Sequence, residues 1–508
     1  MSAPEGPFPR FNIARYCLAE NARLRAQKPA LIVAKEPERE LVFRFGEFED
    51  STLRLARRLR ELGLAPGSRV IIRLEASEEF ALAFMAVIAA GFIAVPSSTM
   101  LTAPELAFVA ADSEAALILC DEPPPGLALA AGCRLVGADL LSRLEASPRG
   151  DYADTAWDDP AFLIYTSGTT SRPKGVLHAQ RNAWGRWPMR RGWTGLKEAD
   201  LMLHAGRLNW TYTLGVGLMD PWSVGATAVL YDGPQDDCAF PVLIERHRCT
   251  IFTAVSGLYR QILKHCRIES FDLSSLRHGL AAGEPLSPGV LEEWRHRVGT
   301  ELYESLGMTE ISTYVSGGPD TPVVPGSAGK PQPGRRVAIL PIQGGSEPLP
   351  TGETGLLAVH RSDPALMLGY WRRPEEEARC YRGEWFVGGD LAAQDERGYI
   401  WFRGRNDDLM KPLGYRVSPV EVEAVLQEHP GIAEAAVAEH QVAEGVRIVA
   451  AFVVPRGGTP LEASEVLAWC ESRLARYKRP REVFFAEALP RTANGKLMRR
   501  ALRPPDAG

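Results

Sequence analysis

Hydrophobic positions in the first third of the chain come in short blocks of two alternating periods. Leu55, Leu59 and Leu62 recur at helical spacing, Gly63 follows as a helix stop, and VIIRL (Val70 to Leu74) then reads as a strand. A second helix is predicted around Glu79 to Ala90, closed by Gly91 and followed by a short strand ending at Pro96. This βαβ rhythm predicts parallel sheets with helices on their faces, and it resumes from Phe162 to around Leu306. From Pro322 to His360 the texture changes. PGSAGKPQPG and EPLPTGETG separate the short strands VAIL and LLAVH, which predicts a small antiparallel, turn-rich section. The polar run GRNDD (Gly404 to Asp408) reads as a linker. After it come an amphipathic helix from Val420 to Gln427, strands around Ala435 and Val449, and a helix near Leu467. That tail predicts an independent α+β domain of roughly a hundred residues.

Composition narrows the class. A chain of 508 residues is too long for one ordinary core, so a large domain with a smaller companion is expected. Apolar residues at 45% and charged residues at 24% are those of a globular protein. The net charge of -5 supplies no basic field for nucleic acid or an anionic membrane, so an anionic ligand must be held by local positive groups. Cys17, Cys120, Cys133, Cys238, Cys249, Cys266, Cys380 and Cys470 are scattered without CxxC or zinc-like spacing, so buried free thiols in a reducing compartment are expected. The N-terminus MSAPEGPFPRFN has no secretory pattern. The longest apolar run, Phe80 to Val95, is short of a membrane span and reads as a buried helix running into a strand. A cytoplasmic protein is expected.

Candidate chemistry starts at Tyr165 to Val176, YTSGTTSRPKGV, a loop leaving the strand Phe162 to Tyr165. Ligands in open α/β sheets bind beyond strand C-termini. Thr166, Ser167, Thr169, Thr170 and Ser171 offer hydroxyl donors, Gly168 lets backbone N–H groups approach, and Lys174 adds a cation, as a nest for phosphate oxygens requires. It is not a Walker A loop, which needs Gly directly before Lys and a helix starting there, whereas Pro173 and Gly175 flank this lysine. A mobile loop is expected instead. Taken alone, the stretch reads equally well as a surface turn.

Further segments resolve that tie. YTSGTTSRPKGV resembles the signature loop of the adenylate-forming superfamily, which includes acyl- and aryl-CoA synthetases, luciferases and peptide-synthetase adenylation domains. AAGEPL (Ala281 to Leu286) is similar to its adenine-side segment, and YESLGMTE (Tyr303 to Glu310) to its Tyr-Gly-x-Thr-Glu motif. WFVGGD (Trp385 to Asp390), GRNDDLMKPLGYRVSPVEVE (Gly404 to Glu423) and PRTANGKLMRR (Pro490 to Arg500) resemble its aspartate, hinge and C-terminal lysine motifs, in the family's order. The branch resembled is that of medium-chain and benzoate-type acid–CoA ligases.

The resemblance implies an α/β fold. A large N-terminal AMP-binding domain, residues 1–403, would hold two αβ-layered sheets plus a small β-barrel section. A hinge at 404–408 and a small mobile α+β domain at 409–508 would follow. It also implies two steps, attack of a carboxylate on the α-phosphate of ATP, then transfer of the acyl group to the thiol of coenzyme A. Such chemistry rests on positioning and charge neutralisation. Glu310 would hold Mg2+, a hard cation that prefers oxygen ligands, and Thr309 would contact the α-phosphate. Gly283, Glu284 and Pro285 would flank the adenine mainly through backbone. Asp390 would accept from the ribose hydroxyls, and Arg405 would add a ribose or phosphate contact. Lys496, projected by the Asn494-Gly495 turn, would meet the α-phosphate and carboxylate as they react. Asp407 stands at the family's hinge position, where a rotation would bring Gly414 to the pantetheine path. Two departures stand out. Ser171 occupies a usual glycine position, and Gly388 replaces a common threonine.

For the acid itself, Leu208 to Leu230 is similar to the segment bordering the acyl pocket in that branch. Trp210, Tyr212 and Gly215, with Leu306, Met308 and the segment Val255 to Tyr259, would line a compact pocket. A short to medium-chain or aromatic monocarboxylate is the expected substrate. Arg207 and His204 lie near enough to keep a diacid open. The alternatives are an adenylation module loading a separate carrier thiol, a benzoate-type aryl ligase specifically, and a non-catalytic nucleotide-binding regulator. A GxSxG hydrolase and a GxGxxG dehydrogenase are disfavoured because neither motif occurs. The expected partners are a small carboxylic acid, ATP and coenzyme A, with no nucleic acid and no membrane. A homodimer is left open.

Overall fold

The structure, a computed structural model, describes residues 8–36, 39–166, 173–234, 236–406, 410, 417–443, 446–457, 461–476, 478–491 and 497–504. They form two compact units. One is Met1–Arg336 with His360–Glu384, the other Val337–Val359 with Trp385–Gly508.

The first unit is built on two twisted sheets. One contains β1 (Pro29–Glu36), β2 (Arg39–Arg44), β9 (Leu201–His204), β10 (Thr227–Tyr231), β11 (Ile251–Ala254), β12 (His278–Ala282), β13 (Glu301–Met308), β14 (Ser312–Ser316) and β15 (Lys330–Pro331). Their order is β15-β14-β13-β12-β11-β9-β10-β1-β2. The interior pairs are parallel, and the edges are closed antiparallel by β2 and by β14 and β15. The other sheet has the order β18-β8-β7-β4-β3-β5-β6. Its members are β3 (Arg69–Arg73), β4 (Ile93–Pro96), β5 (Ala115–Cys120), β6 (Arg134–Val136), β7 (Pro160–Thr166), β8 (Lys174–Ala179) and β18 (Gly369–Tyr370).

Strand periodicity explains how both faces of each sheet are covered. Leu31 and Val33 of β1 face one core while Ile32 and Ala34 face another, as successive side chains must. Helices α1 (Ile13–Leu24), α2 (Phe45–Glu61) and α3 (Ser77–Ala89) fill the layer between the sheets, packing on Val70 and Ile72 of β3 and on Leu31 and Val33. Helices Ala239–His247, Ser256–His265 and Pro288–Val298 cover the outer face of the first sheet. Helix α4 (Ala103–Asp112) covers the outer face of the second. The predicted helix–strand rhythm is present, with α2 ending at Glu61 before Gly63 and α3 running directly into the turn at Gly91.

The second unit holds β16 (Val337–Leu340), paired antiparallel with β17 (Thr354–His360), and the hairpin Trp385–Gln394 with Ile400–Arg405. It also holds strands Ile432–Ala443, Val446–Pro455 and Glu482–Phe485 in one sheet, with helices Pro419–Gln427 and Ala463–Glu471 on it.

One expectation is corrected. Cys238 and Cys266 are joined in a disulfide, not held as free thiols. The residues stand 28 apart in sequence, which hides the pairing. Cys238 precedes one outer helix and Cys266 closes the next, and both helices lie on the outer face of the first sheet. Cys17, Cys120, Cys249 and Cys470 are buried and free, and Cys133 and Cys380 are free and half-buried.

Candidate active site

The hairpin β7–β8 places the hydroxyl-rich loop. β7 is an apolar strand that ends at Thr166, and the returning strand begins at Lys174, its register partner. Pro173 bars a helix there, and the chain indeed re-enters the sheet as a strand. Ser167, Gly168, Thr169, Thr170 and Ser171 lie outside the described residues. The Lys174 ammonium is 2.9 Å from the Glu376 carboxylate and 4.8 Å from the centroid of the Tyr370 ring.

Tyr370 sits in β18 opposite Val176 of β8 and donates its hydroxyl to Glu310 Oε1 at 2.6 Å. Burial, reinforced by the neighbouring Glu310 carboxylate, pushes that hydroxyl far above the ordinary phenol range. Glu310 and Thr309 form the turn between β13 and β14, so this segment is a hairpin turn and not a helix start. The turn is tight at Gly307, where a Cβ would lie 2.4 Å from the Ser312 carbonyl oxygen. The Glu310 carbonyl accepts from Met367 N–H at 2.7 Å, tying the turn to the segment that enters β18. The phosphate-loop lysine and the carboxylate proposed for magnesium thus converge on one tyrosine.

The adenine-side segment follows β12. Gly283 has φ of 95°, a left-handed conformation suited to glycine, and a Cβ there would approach the Trp210 ring to 3.2 Å. Ser256 Oγ donates to the Glu284 carbonyl at 3.1 Å, fixing the segment, while Gly283 and Pro285 are exposed. Nearby on β13, Glu304 keeps some surface exposure, but the atoms crowded around it raise its carboxyl to about 8, against the pull of the Leu286 backbone N–H. It is therefore mostly protonated near neutrality.

Of the residues assigned to the acyl wall, Trp210 is half-buried and meets Tyr212 edge-on at 5.2 Å. Tyr212 is buried and hydrogen-bonds Thr253 Oγ1 at 2.7 Å. Gly215 is buried where a Cβ would lie 2.3 Å from Arg186 Nη2. Arg186 in turn forks onto Asp220 at 2.6 and 2.7 Å and bonds Ser312 Oγ, so Gly215 clears space for a buried charged pair. Leu306 and Met308 are half-buried opposite Val315 and Ser312. Arg207 is exposed and pairs with Asp232 at 2.8 Å. His204 is buried, accepts Gly206 N–H at Nδ1, and is pulled by burial to about 3, hence neutral. His204 therefore supplies no charge to a second carboxylate, and the Arg207 guanidinium already has a carboxylate partner.

Within the second unit, Asp390 is buried and faces Arg405 across the hairpin, with Arg405 Nη1 3.1 Å from Asp390 Oδ1. Arg405 also donates to the Gly388 carbonyl at 2.7 Å. Asp407, Gly414 and Lys496 lie outside the described residues. The segment bearing Lys496 is bracketed by the Arg491–Leu497 bridge and by Met498 N–H on the Pro490 carbonyl at 2.8 Å. Arg499 is anchored by a fork onto Glu423 at 2.8 and 2.6 Å.

Sequence reasoning passed over Tyr370, Glu376 and Arg186. Tyr370 lies 60 residues from Glu310, so no local spacing links them, and the turn-like GYWRRPEEE was the only available signal. Arg186 looks like one basic residue among several in RNAWGRWPMRR until its burial is seen. Among the described residues no group of three or more His, Cys, Asp or Glu side chains could hold a metal by itself. Among them, too, no helix is long and apolar enough to cross a membrane.

The family pattern described as AMP-binding enzyme matches residues 18–371, and that described as AMP-binding enzyme C-terminal domain matches residues 421–496. The chain is similar to the uncharacterized acyl–CoA ligase YtcI of Bacillus subtilis (strain 168), 32% identical over 494 residues that cover 94% of this chain and 93% of the relative. It is 32% identical over 462 residues to the benzoate–CoA ligase of Thauera aromatica, covering 87% of this chain and 86% of that one. The crystal structure of the anthranilate CoA ligase AuaEII with anthranoyl-AMP matches with a TM-score of 0.87 at 28% identity, covering 98% of this chain and 97% of that one.

Proposed function

The chain belongs to the AMP-binding enzyme family, and from that premise we propose that it is an ATP-dependent acid–CoA ligase acting on a compact monocarboxylate. The substrate carboxylate attacks the α-phosphorus of ATP and pyrophosphate leaves. The coenzyme A thiol then attacks the acyl carbonyl of the mixed anhydride and AMP leaves. The related ligases join acids to coenzyme A, so loading of a separate carrier protein is not favoured.

The observation that carries the reading is the convergence of Lys174 and Glu310 on Tyr370 beyond the end of β7. One cation and one carboxylate thus stand near Thr166, where β7 ends, which supports a site for a polyphosphate with its cation. Glu310 fits Mg2+ because a hard cation takes carboxylate oxygens and Tyr370 already fixes the orientation of this carboxylate. When bound, that ion would neutralise phosphate charge. Thr166 and Lys174, with Ser167, Gly168, Thr169 and Thr170, would cradle the phosphates, and Thr309 would touch the α-phosphate. Gly283, Glu284 and Pro285 would hold the adenine, and Asp390 and Arg405 the ribose. Lys496 would stabilise charge developing at the α-phosphate, with domain 409–508 turning about Asp407 so that Gly414 serves the thioester step.

A monocarboxylate is favoured over a diacid because Arg207 is engaged with Asp232 and His204 is neutral. Thioester formation measured by mass spectrometry with butyrate, hexanoate, octanoate, benzoate and malonate tests this. Product from one or more monocarboxylates and none from malonate is expected, and malonate as the best substrate would refute the pocket reading.

A further inference from the structure

We propose that Tyr370 is a positioning residue for the phosphate site. Its hydroxyl fixes the Glu310 carboxylate for a cation that arrives with nucleotide, and its ring seats Lys174. This inference rests on the roles assigned above to Glu310 and Lys174.

The geometry is specific. Tyr370 donates to Oε1 of Glu310 at 2.6 Å, a charge-assisted bond at the strong end for a hydroxyl and a carboxylate. That bond occupies one oxygen and sets the plane of the carboxylate, which leaves Oε2 as the oxygen to meet a cation. Losing a partner that orients a ligating carboxylate typically costs about 10- to 100-fold in metal affinity. The same ring lies 4.8 Å from the Lys174 ammonium, within cation–π range, so one side chain sets both charged groups.

Tyr370 is itself held rigidly. Trp371 N–H donates to the Gly175 carbonyl at 2.8 Å and Leu368 N–H to the Leu177 carbonyl at 2.7 Å, which makes β18 a strand of the sheet that carries Lys174. Trp371 Nε1 donates to the Asp112 carbonyl at 2.9 Å, and Arg373 pairs with the Asp112 carboxylate at 2.9 Å. A site group on a locked strand keeps its geometry better than one on a free loop. Lys174 is paired with Glu376 at 2.9 Å. A polyphosphate would take over that charge while the ring holds the lysine stem in place.

The test uses Tyr370→Phe in the full chain, which keeps the ring and removes only the hydroxyl. Mn2+ binding in the presence of α,β-methylene-ATP, read by electron paramagnetic resonance, reports on the cation directly. Metal-free nucleotide binding, read by calorimetry, is the internal control. The expected result is a loss of about 10- to 100-fold in Mn2+ affinity, with metal-free nucleotide affinity changed less than about twofold. The Mg2+ concentration that half-activates pyrophosphate exchange should rise in parallel. Para-aminophenylalanine at position 370, which restores a donor, should recover most of the loss. Wild-type Mn2+ affinity in the phenylalanine variant would overturn the proposal, and so would an equal loss of both affinities, which marks a scaffold residue. A wild-type chain that binds no Mn2+ with nucleotide would overturn it together with the role of Glu310.

Discussion

Lys174 and Glu310 carry opposite charges toward the same place, and their replacement should have different consequences. Lys174→Met removes a cation from the proposed phosphate cradle and leaves Glu376 with Arg373, 3.8 Å away, as its ion partner. The expected outcome is a rise of about 10- to 100-fold in the KM for ATP, the range of one hydrogen bond to a charged group, with the thermal midpoint nearly unchanged. Glu310→Gln keeps the shape and an acceptor for Tyr370 but removes the charge, so kcat for adenylate formation should fall by about 10²–10³. Steady-state kinetics of pyrophosphate release separates the two, and a fall in kcat for Lys174→Met with unchanged KM would contradict the phosphate role. At this scale the family was legible in short contiguous motifs. The sequence was opaque where one side chain orients another from a distant strand, as Tyr370 does for Glu310, and where burial turns an ordinary arginine such as Arg186 into half of an internal ion pair.

Elements were easier to read than contacts. Apolar period and turn residues located α2, β3, α3 and β4 because each is a local response to spacing and to glycine. The order of the strands was not legible, since β1 lies beside β10 only through pairings that span most of the first unit. The disulfide was missed for the same reason. Glycine positions give a sharp test at this scale. Gly329 has φ of 99° and a Cβ there would fall 1.9 Å from the Ser316 carbonyl carbon, so β14 and β15 cannot pair as they do around a side chain. Gly289, in the first turn of Pro288–Val298, has nothing within 4 Å of its Cβ position. Gly329→Ala should lower stability by about 2–4 kcal/mol or prevent folding. Gly289→Ala should raise stability by about 0.5–1 kcal/mol. Urea unfolding of both variants checks the pair, and a neutral Gly329→Ala would contradict the strand pairing.

Three histidines set how the whole molecule responds to acid. Burial, the leading cause in each, draws His178 and His204 to about 3 and His278 to about 4, so all three are neutral in the folded chain. His278 donates Nε2–H to the Thr194 carbonyl at 2.9 Å, which neutrality permits. The unfolded chain binds protons at these rings from about pH 6.5 downward, while the folded chain does not until about pH 4. The contribution of these rings is therefore fully present above about 6.5 and declines as pH falls through the window from 6.5 toward 4, by at most about 1.4 kcal/mol per pH unit per ring, while Glu304, its carboxyl raised to about 8, acts in the opposite sense across that window. The thermal midpoint should drop from about pH 6 to 5, where three rings outweigh one carboxyl, and His278→Gln should flatten that slope. A midpoint independent of pH over this range would contradict the burial of neutral rings. The central claim concerns chemistry, and one measurement addresses it most directly. Pyrophosphate release from ATP should be followed with acetate, butyrate, hexanoate, octanoate, benzoate and substituted benzoates, with and without coenzyme A. The account predicts sustained turnover for one or a few of these acids only when coenzyme A is present, with AMP and thioester formed in equal amounts. Release that coenzyme A does not alter, or no release with any acid while ATP still binds, would contradict it.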